Sequence, residues 1–243
     1  MTLIDHLEEL RTRLFIAISA WVVGAGIAFA FRREILIWLQ DPLPYGFTLN
    51  FFSVLEPFIA SMQIAAFFGL VLAFPIVGGQ LWGFISPGLY NEERRWAVPF
   101  IFMTAVAFAL GVLFARFVVL PVALPILLGF LLDQAVPVLS IGDYVSKVIM
   151  YMALFGILFE MPILSFLLAR LGLLRASFLV QYRKTAIIIG LVAAAGLSPT
   201  GDPFNFALLA IPIVVLYELS IIVVRLSQKR DHGREDTELT HPN

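Results

Sequence analysis

Two carboxylates stand beside arginines at the edges of apolar runs. Glu9 is followed by Arg11 and Arg13, and Glu93 by Arg94 and Arg95. Each could receive a guanidinium through two parallel hydrogen bonds, a geometry that planar arginine offers and lysine does not. The plainer reading pairs each with its own neighbours, Glu9 with Arg11 or Arg13 and Glu93 with Arg94 or Arg95. The residues alone leave both readings open. A third carboxylate, Glu160, lies in the middle of an apolar run and is followed by Pro162. An ionisable group at such a place faces a cavity or a partner by default. Glu160 is therefore read as a polar docking point or a proton site, against the alternative of a carboxyl hydrogen-bonded inside a bundle. Gln80 is the second polar residue of this kind, and Gly79-Gln80-Leu81-Trp82-Gly83 adds a small-xxx-small spacing that permits close helix contact. Glu218 lies near the end of the last apolar run, where its side chain can reach the interface.

Other chemistries are poorly supplied. The chain has no cysteine, so no disulfide framework, thiol nucleophile or thiolate metal site is available. His6, His232 and His241 all fall in terminal segments, which leaves no histidine for a triad or metal centre within the apolar runs. His6-Leu7-Glu8-Glu9-Leu10 lacks the second histidine of a zinc-protease helix, and neither a phosphate loop nor a GxSxG elbow occurs. No enzyme activity, cofactor or metal is expected. With a net charge of −1, the chain has no broad basic face for nucleic acid.

The elements that must position these residues are membrane spans. Hydrophobic residues make up 60% of 243 and charged residues 14%, whereas a soluble domain carries roughly 45–50% and 25%. Mean hydropathy is +0.95. The apolar residues fall in runs long enough to cross a bilayer as helices, which takes about 20 residues. Six are read: 14–31, 57 to about 85, 96–116, 148–169, 185–197 and 204–224. Pro75 is expected to kink the second. Pro121 and Pro125 are expected to bend the third where apolar sequence continues to Leu132. The stretch 32–57, with its Asp41-Pro42-Leu43-Pro44-Tyr45-Gly46 segment, reads as a loop with short interfacial helices. Ala28-Phe29-Ala30 looks like a signal-peptidase site, but Asp5, Glu8 and Glu9 spoil a basic leader, so the first span is read as retained.

The fold class is thus all-α, a polytopic membrane protein with six transmembrane helices, the fifth and sixth short. Residues 1–226 form the membrane domain. Residues 227–243 read as a disordered cytoplasmic tail too polar to bury a core. Orientation follows from Lys and Arg placement. With the N-terminus inside, the inner segments hold Arg11, Arg13, Arg94, Arg95, Arg170, Arg175, Arg183, Lys184, Arg225, Lys229, Arg230 and Arg234. The outer ones hold only Arg32, Arg33, Arg116 and Lys147. Both termini are expected in the cytoplasm. No transit-type segment precedes the first span, which favours a bacterial inner membrane over an organelle.

Four motifs, in order and on these spans, resemble the TatC family, the multispanning receptor subunit of the twin-arginine translocase. They are His6-Leu7-Glu8-Glu9-Leu10-Arg11; Gln80-Leu81-Trp82-Gly83-Phe84-Ile85-Ser86-Pro87-Gly88-Leu89-Tyr90 running into Glu92-Glu93-Arg94-Arg95; Phe159-Glu160-Met161-Pro162; and Leu208-Leu209-Ala210-Ile211-Pro212. The resemblance covers about residues 3 to 225. It implies binding of signal peptides that carry two consecutive arginines. It also implies assembly with single-span TatA- and TatB-type partners, so that folded proteins cross the membrane on the proton-motive force. Glu9 and Glu93 match the family's acidic signal-binding positions, with Arg11, Phe84, Arg94 and Arg95 around them. Glu160 matches its intramembrane acid and, with Gln80, is implied in partner docking. Asp202 and Pro42 are further expected partner contacts, and self-association is expected too. The turn at Ser198-Pro199-Thr200-Gly201-Asp202-Pro203 departs from the compact Pro-Pro-Asp turn common in relatives. Phe206 stands where relatives often have Gln. The alternative function is a proton-coupled secondary transporter using Glu160, though the spans show no clear internal repeat.

Overall fold

In hydrocarbon a backbone finds no hydrogen-bond partner but itself, so long apolar runs fold as helices. The computed structural model describes residues 3–85, 97–129, 138–197 and 203–239. Its elements are α1 (Leu3–Ala30), α2 (Arg32–Gln40), β1 (Leu49–Asn50), α3 (Glu56–Ile85), α4 (Ala97–Phe114), a π-helical turn (Ala115–Val119), α5 (Leu120–Gly129), β2 (Leu139–Ser140), α6 (Ile141–Arg170), α7 (Ala176–Gln181), α8 (Arg183–Leu197) and α9 (Pro203–Leu239). Five stretches are long and apolar enough to span: His6–Ala30, Glu56–Phe84, Val98–Gly129, Ile141–Arg170 and Phe206–Gln228. The sixth apolar helix, α8, has 15 residues and reaches about 22 Å, against a hydrocarbon core of about 30 Å. The fifth span is therefore short, as expected. The sixth extends past the expected end near Val224. Its helix continues to Leu239, through the region read as a disordered tail, because each residue added to an existing helix needs only one further hydrogen bond.

Two compact units, Met1–Ile157 and Leu158–Asn243, divide the chain. In the first, α1 and α3 approach closely through glycine contact. A Cβ on Gly24 would lie 2.5 Å from the Gly69 carbonyl oxygen, and one on Gly69 would lie 2.5 Å from Ala25 Cα. The Trp21 indole N–H donates to the Ala66 carbonyl at 2.8 Å along the same seam. The expected small-xxx-small pair does not make this contact. Gly79 faces the Ile101 side chain at 3.7 Å and Gly83 faces Arg13. On α4, Gly111 similarly admits the Phe155 backbone, 2.7 Å from where its Cβ would be.

The third span is α-helical on either side of the π turn, which adjoins its prolines. Pro125 lies inside α5, and the π turn falls just before Pro121. A proline removes one N–H and crowds the carbonyl four residues earlier, and the wider turn accommodates both. That turn carries Arg116, counted above among the outer charges and only 4% exposed. Its guanidinium donates twice to the Trp38 carbonyl, at 3.0 and 2.6 Å, and once to Asp41 at 2.9 Å. The Tyr144 hydroxyl donates to the next carbonyl, Leu39, at 2.5 Å. The last carbonyls of a helix have no partner of their own. Here α2 borrows a cation from the third span and a phenol from the fourth, with the cation at the negative end of the helix dipole.

A second tie lies nearby. β1 and β2 pair in parallel, Leu49 with Leu139 and Asn50 with Ser140. Glu56 accepts from the Ser140 hydroxyl, from the Gly142 N–H at 3.0 Å and from the Phe52 N–H at 2.7 Å. Its carboxylate thus caps the start of α6 from the start of α3.

Candidate signal-binding site

The first turns of α1 meet the last turns of α3. The His6 imidazole stacks on the Phe84 ring, with centroids 4.3 Å apart and planes 16° from parallel. One turn further along α1, Glu9 and Arg13 share a face, as residues four apart must. Arg13 donates through Nε and Nη2 to the same Glu9 oxygen, Oε1, at 2.9 and 2.6 Å. The guanidinium packs against Gly83, where a Cβ would come within 2.6 Å of Cζ. It also sits near the carbonyl end of α3, which favours a cation. Glu9 is half-buried, its side chain 19% exposed. Its second oxygen, Oε2, is buried and takes no hydrogen bond from the described residues.

The local reading of Glu9 is thus right about Arg13, and the carboxylate still keeps one oxygen in reserve. Arg13 is the partner of Glu9, although sequence reasoning named it only as one of two candidates; the four-residue spacing from Glu9 was the available signal. Arg11 is exposed and lies over the Phe15 ring at 5.8 Å. Together with Glu8, Thr12 and Phe15 it lines an open groove of about 910 Å³ along α1, polar at the first turns and apolar towards Val23 and Ile76. Gln80 is half-buried one turn before Phe84, on the same face of α3. Trp82, buried on another side of α3, packs on Phe100 with centroids 4.9 Å apart.

Glu93, Arg94, Arg95 and Asp202 lie outside the described residues. Pro42 is buried, whereas Tyr45 three residues on is fully exposed. Glu160 is buried in the second unit, on α6, at 9% exposure. Glu218 accepts from Arg183 at 2.8 Å, which links α9 to α8. Among the described residues no three His, Cys, Asp or Glu side chains converge as a metal site would require.

Replacing Gly83 by alanine should displace Arg13 without unfolding the protein, since the obstacle is the end of a flexible side chain. The expected result is a melting temperature in detergent within a few degrees of wild type.

The family described as Sec-independent protein translocase protein (TatC) matches residues 5–212. The chain belongs to the TatC family. Its relatives include TatC of Deinococcus radiodurans, 38% identical over 92% of this chain and 86% of the relative. TatC of Aquifex aeolicus is 38% identical over 95% of this chain and 97% of its own length. A crystal structure of a twin-arginine translocase receptor, TatC, superposes with a TM-score of 0.80 at 38% identity, covering 92% of this chain and 99% of that one. Family membership favours the translocase-receptor reading over a solute carrier built on Glu160, and it bears out the six-helix, all-α class.

Proposed function

We propose that this chain is the receptor and core subunit of a twin-arginine translocase, holding the two arginines of a signal peptide between Glu9 and Glu93. The observation that carries this reading is the state of Glu9. Arg13 and Gly83 fix one of its oxygens, and the other is buried without a donor among the described residues. Such an oxygen suits a charge-assisted hydrogen bond from an incoming guanidinium. Glu93 is proposed as the second acceptor, with Arg11, Arg94 and Arg95 setting the charge around the pair and Phe84 its apolar wall. The groove beside Arg11 runs from polar to apolar, which suits a peptide whose charged start precedes a hydrophobic stretch.

Glu160 and Gln80 are proposed to dock single-span TatA- and TatB-type partners, Asp202 to contribute a further contact, and copies of the chain to self-associate. Pro42, being buried, would shape the loop that presents Tyr45 rather than touch a partner itself. Cargo would cross on the proton-motive force. The excess of Lys and Arg in one set of loops supports a bacterial inner-membrane protein with both termini in the cytoplasm.

Binding of a twin-arginine signal peptide and its Lys-Lys counterpart to the purified protein tests the reading. Wild type should prefer the Arg-Arg peptide, and Glu9→Ala and Glu93→Ala should each lower its affinity by about 30-fold or more, the effect of losing a charged hydrogen-bond pair. Equal binding of both peptides, unmoved by either substitution, would return the two carboxylates to purely local pairing.

A further inference from the structure

From Leu171 to Lys184, the connector after α6 and the first residues of α8, the chain carries no acidic residue but does carry Arg175, Arg183 and Lys184. A tight helix stop fixes its path. Gly172 adopts φ +70°, the Leu173 N–H donates to the Leu168 carbonyl at 2.9 Å and the Gly172 N–H to Ala169 at 3.1 Å. These are the two bonds of a glycine-terminated helix end. The connector is then pinned to α9. Leu174, Ala176 and Leu179 pack with Val224. The Gln228 side chain accepts from the Ala176 N–H and donates to the Leu174 carbonyl, each at 3.3 Å. The Tyr217 hydroxyl donates to Leu179 at 2.8 Å.

With that side held, the opposite side faces outward and is apolar. Leu173 is 73% exposed, Phe178 52% and Tyr182 45%. The two rings pack together, with centroids 4.6 Å apart. Arg175 and Lys184, one at each end, are exposed, and among the described residues neither has a carboxylate within ion-pair distance. Arg183, by contrast, is engaged by Glu218. The segment joins two membrane helices, so this surface lies at the boundary between headgroups and acyl chains. Aromatic rings favour that depth. Cations there attract anionic lipid headgroups.

We propose that residues 173–184 form a lipid-binding surface for an anionic phospholipid. Arg175 and Lys184 take the headgroup phosphate, and Leu173, Phe178 and Tyr182 seat against the first carbons of the acyl chains. The surface uses none of the residues proposed for signal binding and holds whichever leaflet it faces. With cytoplasmic termini, as proposed above, that leaflet is the inner one.

Phe178→Trp in the full chain, reconstituted in nanodiscs, supplies a local reporter, with the unsubstituted chain as background for the four native tryptophans; Tyr182→Trp is the second reporter. Brominated phosphatidylglycerol should quench the new indole with about tenfold higher apparent affinity than brominated phosphatidylcholine, as two juxtamembrane cations imply. Arg175→Gln with Lys184→Gln should remove that preference while leaving quenching by phosphatidylcholine intact. Excess inorganic phosphate should not compete. Three results would overturn the proposal. They are no quenching by either lipid at both reporter positions, equal quenching by both lipids before the charges are removed, or displacement of phosphatidylglycerol by inorganic phosphate, which would make this a free-anion site.

Discussion

Gly69→Leu should leave little folded protein in the membrane. The Gly69 Cα lies against the backbone of α1, so even a methyl would stand 2.5 Å from Ala25 Cα, and Gly24 meets the Gly69 carbonyl at the same separation. Nothing there is a side-chain end that could swing aside. The two helices must part, losing the Trp21 bond to Ala66 and loosening the His6–Phe84 stack further along the same pair. Overpacking of this kind costs about 1–3 kcal/mol and more when backbones collide. The measurement is the yield and melting temperature of the detergent-purified protein. Gly26→Ala is the control, because no atom lies within 4 Å of that site. Trading glycine for alanine in a helix should there be neutral or stabilising, by up to about 1 kcal/mol. Equal loss from both variants would mean that helix propensity, not contact, governs this seam.

Arg116→Leu is the second large effect. The substitution removes both donors to the Trp38 carbonyl and the partner of Asp41. It leaves the Trp38 carbonyl near the end of α2 without these donors, and removes the guanidinium that lies over the Trp38 ring at 4.9 Å. Hydrogen bonds to a charged group contribute about 1.5–3 kcal/mol each, so a loss of about 3 kcal/mol is expected in thermal or denaturant unfolding. Asp41→Asn should cost far less, under about 1 kcal/mol, because that carboxylate is 62% exposed and water can replace its partner. If the two variants proved equally harmful, the ion pair rather than the carbonyl cap would be the important contact.

These two sites mark the limits of reading the chain from its residues. The spans were legible because hydrocarbon leaves one local solution, and charge-free runs declare it. Their ties to each other were not. Arg116 looks like any residue at the end of an apolar run; only folding shows that its partners are Trp38 and Asp41, in a different helix and loop. The glycine spacing that drew attention, Gly79 with Gly83, serves other ends, while Gly24 and Gly69, in separate runs and outside that spacing, make the close contact. The pairing of Glu9 with Arg13 was written in a four-residue spacing. Its consequence, one oxygen engaged and one held back, depends on Gly83 some seventy positions later. Two-residue strands have no periodicity to detect, so β1 and β2 were invisible. The acidic site residue Glu93 and its neighbours Arg94 and Arg95 stay expectations from the resemblance, since they lie outside the described residues.

The parallel pairing of Leu49 with Leu139 also sets a clock on biogenesis. Ribosomes add about 5–20 residues each second, and ninety positions separate the partners, so β1 must wait roughly 5–20 s for its mate to be made. In that interval Glu56 has the Phe52 amide but neither Ser140 nor Gly142, and the end of α2 gains Arg116 only late and still lacks Tyr144. The first two spans therefore enter the bilayer with their connecting segment unfinished, and its completion reports that the third and fourth have been inserted the right way round. A chain whose third span threads in reverse cannot close it, so quality control could read the topology of four helices from the order of one short segment.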